Sequence, residues 1–117
     1  FSTGPSIPNT VRTIVQEAIA TFVLVFAICG LGQVPELNDG VGKILVFGII
    51  VSIGMSLGGL TGYALNPARD LGPRIAHAIL PIKGKGSSNF KYGLIVPIFG
   101  PIIGGIVAVL LYNVIPW

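Results

Sequence analysis

An asparagine, a proline and an arginine stand within four consecutive positions, Asn66-Pro67-Ala68-Arg69, between two long apolar stretches. Proline is favoured at the first helical position and asparagine is a strong N-cap, so the spacing predicts a short helix that begins at Pro67. The N-terminus of a helix carries about half a positive charge. Within a membrane, this end would oppose cations and orient a polar solute, to which the Asn66 amide could donate. An ordinary cap on a surface helix is the alternative that these residues alone leave open.

Arg69 lies less than one turn into this predicted helix. An arginine in a membrane segment is unfavourable and usually faces a cavity or a partner group. Its planar guanidinium could donate two hydrogen bonds to hydroxyls in a narrow pore. The residues alone leave two alternatives, a side chain that extends to the lipid headgroups and an ion pair with the neighbouring Asp70.

Glu17 is a carboxylate inside the first apolar stretch, five residues after Arg12. A buried carboxylate needs partners, and an irregular loop at membrane depth has N–H groups that need acceptors. We therefore expect Glu17 to brace the loop at residues 61–66. A carboxylate near the headgroups is the alternative.

The elements that must position these residues follow from hydropathy. The chain is 52% hydrophobic and only 9% charged, whereas soluble domains carry about 25% charged residues. Since a spanning helix needs about 20 apolar residues, the sequence predicts an all-α membrane protein with three transmembrane helices and one re-entrant half-helix. We place the spans at residues 11–32, 43–60 and 92–115, and the pore loop with its half-helix at residues 61–80.

Seventeen glycines also characterise the chain. Some of them recur at every fourth position, a spacing that lets membrane helices approach closely. Contact between helices is therefore the favoured interpretation for most of the members of two series, which are Gly54, Gly58 and Gly62, and Gly100 and Gly104.

Several classes of function are not indicated. The seven basic residues are scattered, and they form no basic patch interleaved with aromatic residues that would predict a nucleic-acid partner. No nucleophile–base set, carboxylate pair or phosphate loop predicts an enzyme. His77 has no second ligand at a suitable spacing, so we expect neither a metal nor a cofactor, and Cys29 reads as a small buried apolar residue.

The run from Gly62 to Asp70 resembles the second pore loop of the aquaporin superfamily, and it is most similar to the glycerol facilitator, or aquaglyceroporin, branch. The resemblance covers essentially the whole chain. It implies that residues 1–117 form a single half-repeat, one of the two inverted repeats of the aquaporin fold.

Four features resemble the glycerol branch more than water channels: Asp70 directly after the arginine, Arg74 four residues later, the pair Pro97-Ile98, and Gly54 nine residues before Tyr63. Two features depart from the branch. Gly4 stands near a position where a tyrosine is common. Tyr63 stands where many members have phenylalanine, so we expect its hydroxyl to make the filter slightly more polar.

The resemblance implies a passive channel for glycerol and similar small neutral solutes, with water. In it, Arg69 would donate to solute hydroxyls, backbone carbonyls of residues 62–65 would accept from them, and Tyr63 would contact the C–H face. The implied filter and pore residues are Gly54, Gly62, Tyr63, Ala64, Leu65, Asn66 and Arg69, and the residues that support the loop are Glu17, Pro67, Ala68 and Asp70.

The resemblance also implies partners: an N-terminal half that completes the pore, membrane lipid, and three further copies in a homotetramer, in the plasma membrane. The charge rule and the family topology disagree on orientation, because Lys83, Lys85 and Lys91 place the 81–91 loop in the cytoplasm, whereas the family topology places it outside. We expect the loop outside, since earlier spans, which this chain lacks, would normally set the orientation. A water-selective channel and a non-conducting fragment that needs a partner half are the alternatives.

Overall fold

The computed structural model describes residues 2–117, and all regular structure in that range is helical. Its helices are α1 (Thr10–Leu31), α2 (Asp39–Leu57), α3 (Pro67–Ile79), α4 (Phe90–Gly93) and α5 (Val96–Val114). Three segments are long and apolar enough to cross a membrane, namely α1, α2 and the stretch Phe90–Val114. The predicted all-α class, with three spans and a short helix between the second and third, is confirmed.

The second span begins four residues earlier than the predicted Lys43. Asn38 is the reason, because its side-chain oxygen accepts hydrogen bonds from the N–H groups of Gly40 and Val41 and so caps α2. Residues 39–42, which were predicted to lie in the connection between the first two spans, are therefore the first turn of the helix. At its other end α2 stops at Leu57, before the predicted residue 60.

The third span is broken near its start, where the sequence predicted one helix over residues 92–115. α4 ends at Gly93, and α5 begins at Val96. Proline has no N–H and clashes with the carbonyl one turn earlier, which accounts for a break just before Pro97. The first span differs from its predicted bounds by one residue at each end, and the half-helix ends at Ile79.

α1 and α5 pack against each other through glycine. A Cβ atom added at Gly104 would lie 2.1 Å from the carbonyl oxygen of Ala18, and one added at Gly100 would lie 2.5 Å from the Cβ of Glu17. Only glycine allows the two backbones to come this close. Helix contact is thus confirmed for these two glycines.

The other glycine series has a different role from the expected helix contact. A Cβ at Gly54 or Gly58 would meet the side chain of Tyr63, and one at Gly62 would meet Thr3. Tyr63 and Thr3 lie in loops, and the nearest atom to a Cβ at Gly58 is the carbonyl oxygen of Gly54, within α2 itself, at 2.5 Å. These glycines therefore make room for the pore loop and the first residues of the chain rather than for another helix.

The half-helix α3 is capped at both ends by side chains of this chain. Asn66 caps its start. At its end, the Lys85 ammonium donates to the carbonyl oxygens of His77, Ala78 and Leu80 at 2.9, 2.7 and 2.8 Å. A cation at a helix C-terminus interacts favourably with the helix dipole, so the loop after α3 is fastened to the helix that it follows.

Candidate functional site: a pore loop at the start of a half-helix

The loop between α2 and α3 has an unusual backbone. Gly62, Tyr63 and Leu65 have φ values of 81°, 64° and 53°. Residues other than glycine rarely adopt a positive φ, and a bulky residue with such a φ is a marked exception. The loop's own residues therefore do not favour its conformation, and groups elsewhere in the chain must hold it.

Glu17 is the group on α1 that holds the loop. Its Oε1 accepts a hydrogen bond from the N–H of Ala64 at 3.1 Å, and its Oε2 accepts one from the N–H of Leu65 at 2.6 Å. The Glu17 side chain is only 1% exposed. Hydrogen bonds to an ionised acceptor are about twice as strong as neutral ones. The carboxylate thus gives the two loop N–H groups acceptors, and these groups give the buried carboxylate donors.

Asn66 sits where the loop becomes a helix. Its Oδ1 accepts from the N–H groups of Ala68 and Arg69 at 2.8 and 3.2 Å, with Pro67 at the first helical position. Because α3 uses the amide oxygen, the amide nitrogen is the atom through which Asn66 can donate to a solute. Asn66 and Arg69 are both exposed, so the helix start and the guanidinium are accessible together.

Tyr63 lies along α2. Its hydroxyl donates to the carbonyl oxygen of Ile50 at 2.6 Å, and a Cβ added at Gly54 would lie 3.5 to 3.7 Å from three atoms of its ring. The hydroxyl is thereby engaged with the backbone of the second span. Its predicted contribution to the polarity of the filter stays a prediction.

Asp70 forms its ion pair with Arg74 on the next turn of α3. Arg74 donates through Nε and Nη2 to the two carboxylate oxygens at 2.8 and 2.9 Å. Thr3 adds donations from its N–H and hydroxyl to Oδ1 at 2.5 and 2.7 Å. Burial raises the pKa of the Asp70 carboxyl, but these hydrogen bonds outweigh burial and hold the pKa below its ordinary value.

Arg74 joins this ion pair to two loops. Its Nη1 donates to the carbonyl oxygens of Ser88 and Asn89 at 2.7 and 3.1 Å, and its Nη2 donates to that of Thr3 at 2.8 Å. A Cβ added at Gly93 would lie 2.1 Å from the Nε of Arg74. The guanidinium therefore ties the first residues of the chain and the start of the last span to the half-helix.

The sequence analysis did not identify Thr3 or Ser88 as partners in the site. Thr3 is 67 positions from Asp70, and no local pattern marks such a pair. Neither helix propensity nor residue spacing could have found this contact.

In residues 2–117, no group of three potential metal-ligating side chains is brought together, and His77 pairs with the Ser88 hydroxyl at 2.8 Å.

The geometry defines a membrane protein in which a braced, irregular loop leads into a half-helix with exposed polar groups at its start. A family model described as "Major intrinsic protein" matches residues 3–112. The chain belongs to this family, whose members include the aquaporins and glycerol facilitators that it resembles.

Curated relatives carry related names. The chain is 58% identical over 113 residues to the "Glycerol uptake facilitator protein" of Bacillus subtilis, and 53% identical over 113 residues to that of Streptococcus pneumoniae. A third relative, the "D/L-lactic acid transporter" of Lactiplantibacillus plantarum, is 43% identical over 108 residues.

The matches cover nearly all of this chain but less than half of each relative. They include 97%, 97% and 92% of the chain, in the order given above, against 40%, 47% and 44% of the relatives' own lengths. The chain therefore spans about half the length of the curated relatives that it matches.

Proposed function

We propose that this chain forms the second half of a passive transmembrane channel for glycerol and similar small neutral solutes, with water. The observation that carries this proposal is the half-helix start, where exposed Asn66 and Arg69 follow a loop that buried Glu17 braces. A charged donor beside a helix N-terminus suits a solute rich in hydroxyls. The names of the glycerol-facilitator relatives agree with this substrate class.

The polar groups act in sequence on a solute that passes in single file. Arg69 donates to the solute's hydroxyls, while backbone carbonyls of Gly62, Ala64 and Leu65 accept from them. The Tyr63 ring contacts the C–H face. Solute hydroxyls thereby exchange water for protein partners, and a concentration gradient alone drives the flow without a cofactor or a catalysed reaction.

The start of α3 makes the passage selective against cations. The helix dipole places partial positive charge at Asn66, and the Arg69 guanidinium adds a full charge within the same turn. A cation that sheds its water in a narrow passage meets this field at close range. A neutral polyol can instead turn an oxygen toward Asn66 and pass.

The active assembly contains a complementary first half, on the same polypeptide or on a separate one. Two copies of this half in one orientation cannot generate an inverted pair, so a copy of this chain cannot replace the first half. In our proposal the complete channel is a homotetramer in the plasma membrane, with the 81–91 loop outside. Its partners are lipid, water and polyols, with no nucleic acid.

Three alternatives are tested against this function. A water-selective channel is disfavoured by Gly54, Asp70 and Pro97, which resemble the glycerol branch. A small-acid solute has support from the name of the lactic acid transporter relative. A non-conducting fragment would show neither flux.

Stopped-flow light scattering on proteoliposomes tests the proposal. The chain is co-expressed with the first half of the Bacillus subtilis relative and exposed to a glycerol gradient, then to a lactate gradient and an impermeant one. We expect rapid glycerol entry that is lost in Arg69→Gln and Asn66→Ala and kept in Arg12→Gln, a matched change at an exposed arginine. Water flow without glycerol entry would contradict the proposal, and conduction by the chain alone would contradict its need for a first half.

A further inference from the structure

We propose that the Tyr63 hydroxyl is a tether that holds the aromatic ring against α2 and so sets the widest solute that the channel admits. This inference rests on the proposed function and deepens it, since it assigns the size limit to one hydrogen bond. Tyr63 is here a specificity-determining residue whose hydroxyl acts on α2 rather than on the solute.

Two positions on one face of α2 and its C-cap residue, Gly58, receive the side chain. Ile50, Gly54 and Gly58 are four residues apart, a spacing that stacks them along one side of a helix. The Ile50 carbonyl accepts from the hydroxyl at 2.6 Å. A Cβ at Gly54 would touch the ring, and one at Gly58 would lie 3.3 Å from the Cβ of Tyr63. The side chain therefore contacts α2 along its whole length.

The backbone conformation of Tyr63 is unfavourable and needs other contacts to hold it. Tyr63 has a φ of 64°, a conformation that an aromatic residue rarely adopts and that its neighbours must hold. Glu17 holds the next two residues, Ala64 and Leu65, but neither of these bonds reaches the ring. The hydroxyl bond to Ile50 fixes the far end of the side chain, which is half-buried.

Loss of the tether would let the ring spend time away from α2, where it narrows the passage. Water needs little width, whereas a four-carbon polyol needs the whole opening. The ratio of polyol to water permeability therefore reports the ring's position. Loss of one hydrogen bond shifts an equilibrium by about two- to tenfold, and we expect the ratio in Tyr63→Phe to fall by a factor in this range.

The experiment compares four variants in the channel assembled with its first half, with erythritol and water as the permeants. Tyr63→Phe removes the hydroxyl. Gly54→Val adds a side chain between α2 and the ring and so displaces the ring from the helix. Tyr112→Phe removes a hydroxyl elsewhere, and Gly48→Ala adds a methyl at another position of α2, where no atom lies within 4 Å of the new Cβ. We expect the first two changes to lower the ratio and the last two to leave it unchanged.

The double variant Gly54→Val with Tyr63→Phe sharpens the comparison. If both changes release the same ring, their effects on the ratio are not additive, and the double variant resembles the stronger single one. An unchanged or higher ratio in Tyr63→Phe would overturn the proposal. So would a loss of water and erythritol flux in equal proportion, because that describes a damaged fold.

A second measurement does not depend on conduction. Solid-state NMR on the assembled channel, labelled at tyrosine Cζ and isoleucine carbonyl carbons, should show a Tyr63–Ile50 cross-peak that Tyr63→Phe removes and Gly54→Val weakens. Absence of that cross-peak in the parent protein would overturn the tether. A channel that shows the cross-peak but passes no polyol would contradict the proposed function and leave the tether standing.

Discussion

Asp70 and Arg74 form an ion pair whose Nε–Oδ2 distance is 2.8 Å and whose side chains are 0% and 2% exposed. The same chain holds a second pair at the same spacing, Asp39 with Lys43 at 2.7 Å, with side chains 84% and 77% exposed. The two pairs thus share their charges and their spacing in the sequence and differ in burial. A comparison of the two pairs therefore measures how much burial changes the contribution of an ion pair to stability.

Arg74→Met should destabilise the folded protein strongly. It leaves the Asp70 carboxylate buried without its cation, and breaking a buried pair in this way costs about 3–5 kcal/mol. Lys43→Met is the matched control, since an exposed pair at this spacing contributes about 0.3–0.5 kcal/mol. Thermal stability of the detergent-purified protein, followed by size-exclusion chromatography, checks the difference. Equal effects would show that the buried pair contributes no more to stability than the exposed one.

Acid should remove the contribution of Asp70. Its pKa in the folded protein lies below its ordinary value, so its charge stabilises the fold above a pH of about 4, the ordinary value for aspartate. This stability is lost as the pH falls through the folded-state pKa. We expect the stability difference between the parent protein and Asp70→Asn to be largest near neutral pH and to shrink in acid. A difference that stays constant with pH would contradict this.

Glu17→Gln should loosen the pore loop. In glutamine an NH2 group, which cannot accept, replaces one of the two carboxylate oxygens. The N–H of Ala64 or Leu65 that faces this group loses its partner, at a cost of about 1–3 kcal/mol. We expect reduced thermal stability and reduced glycerol flux in proteoliposomes. Glu36→Gln, an exposed site in the α1–α2 turn, is the control and should change neither. Full flux in Glu17→Gln would mean that the loop keeps its shape without the brace.

Gly104→Ala should force α1 and α5 apart. The new methyl would lie 2.1 Å from a backbone oxygen of Ala18, whereas at Gly105 the nearest atom is a Val25 methyl at 3.9 Å. Overpacking of this kind costs about 1–3 kcal/mol, while Gly105→Ala should be tolerated. The yield of each variant and its stability, followed by size-exclusion chromatography after heating, test this difference. Equal yields would indicate that the helices adjust by sliding.

Gly54→His should reduce glycerol flux more than water flux in the assembled channel. The larger side chain narrows the filter directly and occupies the space beside the Tyr63 ring. Permeabilities of the two solutes in the same proteoliposomes check this. An equal loss of both would assign Gly54 a packing role only.

The sequence indicated much of the fold because membrane hydropathy and the Asn66-Pro67 cap are local signals. The break before Pro97 was not predicted, although the proline was visible, because prolines are tolerated in many membrane helices. The early start of α2 was missed since Asn38 and Asp39 read equally well as a turn and as a cap with the first helical turn.

In the candidate site, too, residues with a local signal were predicted and residues that depend on distant contacts were not. Glu17 could be singled out because a carboxylate in an apolar run must find donors. The roles of Thr3 and of the Tyr63 hydroxyl could not be found, because each depends on how distant segments meet. Assignment of Arg69, Asn66 and Gly54 to a filter came from a resemblance and stays a prediction until flux is measured.

The two caps of α3 have a consequence for assembly. Asn66 and Lys85 satisfy both ends of the half-helix from within one short stretch of chain, so α3 can form with its terminal groups already partnered. The loop before it depends on Glu17, which lies 47 positions away from Ala64. The ends of the half-helix therefore depend on nearby residues, whereas the shape of the filter loop depends on where α1 packs.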